Sequence, residues 1–249
     1  MQSYLRNVSW LAFFGLILAA WWILYSMSSM AGLNLIGVQT GHNMMMAQAF
    51  STLFWMWAIM MAAMMLPTMV PTLRSYDDLI ASANGNRAGW YGVALGYFAI
   101  WVCFAVLIAA LQLVAFGFGW LSNLGMATSL WTTAVLLAIV GAYQFTWVKD
   151  VCSAVCRSPM VYFLQRWQPG FVGGLRMGLG LGVYCVLCCW GFMALGFVGG
   201  TMNLLWMGAA TLFMVLEKLP QVATYVAKPL GAGLVVSGII VAAKAAGLF

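Results

Sequence analysis

Charge is scarce in this chain. Of 249 residues only ten are Lys or Arg and four are Asp or Glu, 6% in all. A water-soluble domain carries roughly a quarter. Too few charges remain to cover a soluble surface, so the composition points to a polytopic membrane protein. Histidine is scarcer still, with the single residue His42. A multi-histidine catalytic centre cannot be built from one imidazole, and haem ligation by His42 with a Met has no motif behind it. There is no Ser-His-Asp constellation, no paired carboxylate in an apolar run and no G-x-x-x-x-G-K-[ST] phosphate loop. The net charge of +6 would hint at nucleic acid in a soluble protein. Here the basic residues fall between apolar runs, where they set topology, and no nucleic-acid partner is expected.

What is abundant is apolar sequence, at 65% of residues. The runs predict an all-α, polytopic transmembrane bundle of about seven spans, near 8–28, 48–71, 91–117, 127–148, 176–199, 203–219 and 229–248. The sixth is short and ends in Glu217-Lys218-Leu219-Pro220; in a six-span alternative it becomes a broken or re-entrant element. The first run is long for a signal peptide and reads as a retained helix, although "SMSSMAG" resembles a cleavage site. Arg6, Arg74, Arg87, Lys149, Arg157, Arg166, Arg176, Lys218 and Lys228 all fall on one side of this arrangement, and only Lys244 on the other. That bias predicts the N-terminus inside and the C-terminus outside. Residues 1–249 form one transmembrane domain with no long linker. In the 149–175 loop, "SPMVYFLQRWQPG" mixes aromatics with one Arg between prolines and predicts a short interfacial helix.

Six cysteines are present: Cys103, Cys152, Cys156, Cys185, Cys188 and Cys189. None lies in an expected outward loop, so structural disulfides are not expected. Cys185, Cys188 and Cys189 share one helical face within an arc of about 100°, with Met193 on the same stripe. Three thiols and a thioether are soft donors suited to Cu(I) or another thiophilic ion. The competing reading is packing, because buried cysteine behaves as a small hydrophobe. Cys152 and Cys156 also share a face, and Lys149 and Arg157 beside them favour the thiolate. Without matching histidines this is not a zinc finger.

Methionine is the second abundance, with 19 residues. Met56, Met60 and Met64 form one M-x3-M stripe, and Met61 and Met65 another beside it. "GHNMMM" places His42 with Met44, Met45 and Met46 just before them. His and Met outside, Met in the membrane and Cys inside is the order an inward soft-metal route needs. A methionine stripe also serves plain packing. Glu217 at membrane depth is a functional candidate, set against local pairing with Lys218 or another basic residue. Asn203 reads as an N-cap, and Asp77 and Asp78 as solvated loop residues.

Four pieces carry a resemblance: "MWAIMMAAMMLPTMVP" (56–71), "YQFTWVKDVCSAVCRSP" (143–159), "GLGLGVYCVLCCWGFMAL" (178–195) and "GTMNLLWMGAATLFMVLEKLP" (200–220). In this order they resemble the bacterial predicted metal-binding integral membrane protein family, domain of unknown function 2182. The resemblance implies a helical inner-membrane protein with a metal site at the cysteines, and no settled activity. Three functions therefore compete. The first is a Cu(I) carrier or assembly chaperone using Cys and Met ligands. The second is a non-catalytic subunit of a membrane complex, or a homo-oligomer, with packing thiols. The third is a thiol redox protein, for which same-helix spacing is poor because those Cβ atoms lie about 5–6 Å apart and a disulfide needs roughly 3.5–4.5 Å.

Overall fold

The structure, a computed structural model, describes residues 2–38, 49–83 and 85–248. His42 and Met44–Met46 lie outside the described residues. The order is α1 (Gln2–Met30), α2 (Phe50–Thr68), α3 (Val70–Ser82), α4 (Arg87–Gly117), α5 (Leu130–Tyr143), α6 (Trp147–Arg157), α7 (Pro159–Arg166), α8 (Gly170–Ala194), α9 (Gly196–Gly199), α10 (Leu204–Lys218) and α11 (Ala223–Ala245). No strand is formed among the described residues. Five helices are long and apolar enough to cross a membrane, and the bent pair α5–α6 makes a sixth when taken as one span. α10 has 15 residues, about 22 Å of rise, and falls short of the hydrocarbon thickness.

The differences from the sequence reading have local causes. The fourth span does not run straight to residue 148, because α5 and α6 meet at a 63° bend. Thr146 caps α6, its hydroxyl accepting from the Lys149 amide, so a new helix starts there instead of the old one continuing. Asp77 and Asp78 lie on α3. The Asp77 carboxylate accepts from Trp10 Nε1 at 2.8 Å and Arg87 Nη1 at 2.5 Å, so it is engaged rather than merely solvated. The interfacial helix is present as α7, and Asn203 caps α10 by accepting from the Trp206 amide.

The centre of the bundle is the α4–α8 pair, packed backbone to backbone. Gly92 and Gly96 on α4 face Gly174 and Gly178 on α8. A Cβ at Gly96 would collide with the Leu175 carbonyl oxygen, and one at Gly178 with that of Val93. Without glycine on both sides the helices could not approach this closely. Helix α2 packs on α4 through the fully buried Trp57, whose indole donates to Gln112 Oε1 at 2.7 Å. With no water in hydrocarbon, that bond satisfies two groups that would each be costly alone. Helix α1 is tied to α2 by Trp21 Nε1 donating to the Ala63 carbonyl at 3.0 Å, and α11 packs chiefly on α5.

Candidate metal centre

Helix α8 carries Cys185, Cys188 and Cys189, all buried. The 3.6-residue repeat turns Cys185, Cys188 and Cys189 to one face. The short helix α6, turned aside by the 63° bend after α5, lays Cys156 against that face. Cys156 Sγ stands 3.7 Å from Cys188 Sγ. The sulfurs of Cys156, Cys185 and Cys188 all lie within 4.8 Å of one another. Three sulfurs around one ion, each about 2.3 Å from it, stand about 4 Å apart, so this spacing suits a single three-coordinate ion. Cys189 Sγ is 3.2 Å from Cys188 Sγ but is not one of the mutually close three. Cys152 is buried one turn before Cys156 and does not join them either, and Cys103 is exposed on α4.

A layer of polar groups that spacing could not reveal surrounds the thiols. Lys218, at the end of α10, donates to Thr68 Oγ1 at 2.8 Å and stands 3.1 Å from Cys185 Sγ. The Tyr97 hydroxyl lies 2.9 Å from the same sulfur and 3.2 Å from Thr68 Oγ1. Among the described residues Lys218 has no carboxylate partner. A buried ammonium needs a counter-charge, and Cys185 Sγ, 3.1 Å away, is a group that would supply one when ionised. Glu217, the residue before it, does not pair with Lys218. It pairs with Lys149 at 2.7 Å, and Lys149 also donates to the Cys188 carbonyl at 2.7 Å. Both partners are buried, at 3% and 6% exposure, so the bridge fixes α6 and α10 against the cysteine turn of α8.

The methionine stripe of α2 ends near the same region. Met56, Met60, Met61, Met64 and Met65 are all buried on α2. Thr68 follows Met64 by one turn and touches Lys218, so the stripe runs out beside the Cys185 thiol. At the other end of α2, Trp57 packs on Phe197 with ring centroids 5.6 Å apart. With Thr68 near Cys185 and Trp57 near Phe197, α2 and α8 run in opposite senses. The position of His42 is not among the described residues. Tyr143 braces the far side, its ring edge-on to Trp190 at 5.1 Å and its hydroxyl donating to the Leu187 carbonyl at 2.5 Å.

No curated protein and no solved structure matches this chain. A family model described as "PpoB2: Copper chaperone" matches residues 54–241, which contain the methionine stripe, all six cysteines, Glu217 and Lys218. A copper family, a mutually close set of three buried thiols and several apolar helices agree with one another. Matched over most of its length, the chain belongs to the PpoB2 copper chaperone family.

Proposed function

We propose that this protein is a multi-pass inner-membrane copper chaperone that holds one Cu(I) on Cys156, Cys185 and Cys188 and hands it on. The observation that carries the reading is the convergence of three buried sulfurs from two helices within 4.8 Å. Sulfur donors favour Cu(I) over hard cations, and three ligands without a fourth suit its low coordination number. Lys218 balances the charge of the thiolate complex from beside Cys185. Cys189 and Met193, next along α8, are the reserve donors for arrival or departure of the ion.

With α10 taken as a short sixth crossing, the chain crosses seven times, N-terminus inside and C-terminus outside. The ion then moves from His42 and Met44–Met46, along Met56, Met60 and Met64, to the thiols. The buried stripe ending at Thr68 supports this direction. Cys152, one turn from Cys156, is the candidate next stop.

The test is anaerobic Cu(I) loading of the purified protein, read by metal analysis and X-ray absorption. One copper with about three sulfur neighbours is expected in the native chain, and none in a Cys156/Cys185/Cys188-to-Ser variant. Equal copper in both would sink the proposal. Replacing Met60 and Met64 by Leu should keep the fold, since such swaps cost under about 1.5 kcal/mol, and slow loading from the outer face of proteoliposomes. Unchanged loading would remove the methionine route while leaving the thiol site standing.

A further inference from the structure

At the end of the bundle where α1 and α4 begin, several basic residues collect. Trp10 of α1 reaches Asp77 of α3, and Trp167 after α7 donates to the Ala83 carbonyl at 3.1 Å, so these segments meet at one end. Between α7 and the first turns of α8 lies a recess of about 510 Å³, lined among others by Tyr162, Gln165, Arg166, Trp167, Arg176 and Gly180. Neither Arg166 nor Arg176 is in an ion pair among the described residues. With four acidic residues in the chain, of which Asp77 and Glu217 are already engaged, internal partners are scarce.

The recess is built. Tyr162 is buried and its hydroxyl donates to the Met177 carbonyl at 3.1 Å. Burial pushes this phenol above its usual range, so it remains a neutral anchor. Arg166 lies over its ring, 5.1 Å from the centroid. A Cβ at Gly180 would strike the Tyr162 hydroxyl, so the missing side chain lets Tyr162 settle against α8, with Arg166 Nη1 in ordinary contact range of the same spot. Arg176 is one turn before Gly180 on α8. It stands six residues into the helix, about 9 Å along the axis, which is headgroup depth for a span starting at Gly170.

We propose that this recess binds the phosphate of an anionic phospholipid between Arg166 and Arg176. Guanidinium forks match phosphate oxygens in pairs. Trp167 and Tyr162 sit at the polar–apolar boundary as interfacial aromatics do. Exposed Leu164, Phe171 and Val172 supply apolar surface beside the recess for the acyl chains. A free phosphate ester would use the forks but not that surface.

The test is native mass spectrometry of detergent-purified protein with phosphatidylglycerol or phosphatidylcholine. The native chain is expected to retain phosphatidylglycerol preferentially. Arg166→Gln/Arg176→Gln should lower that preference about tenfold or more, with the lipid-free melting temperature unchanged. Arg74→Gln, an exposed charge on α3, should leave it unaltered. Equal retention of the two lipids, full retention by the double variant, or equal loss with Arg74→Gln would each overturn the proposal. Displacement of the lipid by millimolar glycerol phosphate would overturn the lipid assignment in favour of a soluble ester. Should the double variant fail to fold, Arg176→Gln alone, on an exposed face of α8, carries the same reading.

Discussion

Replacing Glu217 by Gln removes one charge from a buried pair and leaves the other. Lys149 and Glu217 are each at least nine-tenths buried and bonded at 2.7 Å, and no second carboxylate reaches Lys149 among the described residues. Breaking such a pair from one side costs about 3–5 kcal/mol, because an ammonium remains without its counter-ion. Two features place this case at the lower end: the Cys188 carbonyl still accepts from Lys149, and the new amide oxygen can accept as well. About 3 kcal/mol, at roughly 2–4 °C per kcal/mol for a chain of this size, is a fall of roughly 6–12 °C in melting temperature. The assay is thermal unfolding of purified protein in detergent, followed by tryptophan fluorescence. Lys149→Met with Glu217→Leu removes both charges and should recover most of the loss, since apolar replacement of a buried pair is often neutral. A single variant within about 1 °C of the native chain, or a double variant no better than the single, would refute the reasoning.

Other outcomes follow from the same geometry. Cys156→Ser, Cys185→Ser and Cys188→Ser should each lose stable one-ion Cu(I) loading, whereas Cys103→Ser and Cys152→Ser keep it, as measured by copper-to-protein ratio after desalting. Lys218→Met should weaken Cu(I) retention by about 10–100-fold, the usual penalty for losing a group that supports a ligand, in competition against a chromophoric chelator. Gly96→Val should abolish folded protein or cost at least about 1–3 kcal/mol, because its side chain meets the α8 backbone at Leu175; a monodisperse peak on size-exclusion chromatography at native yield would contradict this.

The long apolar helices were legible because twenty uncharged residues have few other places to be. The common face of Cys185 and Cys188 was legible from helical spacing, and α7 from its bracketing prolines. The α5–α6 bend was not: Val148 and Trp147 continue the apolar run, and only Thr146 signals a new N-terminus. Since the bend brings Cys156 to α8, the third sulfur's partners were invisible even though its residue was singled out. Cys152 looked equivalent to Cys156 in sequence, and packing of α6 brings only Cys156 into the close group with Cys185 and Cys188. Glu217 was expected to pair with Lys218 or another basic residue; it pairs with Lys149, because neighbouring positions on a helix diverge by about 100° and Lys218 faces elsewhere. The Gly92/Gly96 and Gly174/Gly178 spacings were there to be seen, and identify the closest helix pair from the alphabet alone.

The last turn of α10 carries opposite charges in successive positions, and each goes to a different address. Its carboxylate serves α6, and its ammonium serves α2, α4 and α8. Neither charge can enter hydrocarbon comfortably before its acceptors are assembled. Since α2, α4, α6 and α8 all precede α10 in the chain, that turn closes the bundle like a two-pronged fastener. A register slip of one residue in α10 would set the carboxylate towards the thiols in one direction, or the ammonium towards Lys149 in the other, like against like in either case. The cysteine turn of α8 and the placement of α6 beside it are therefore secured by the same two residues.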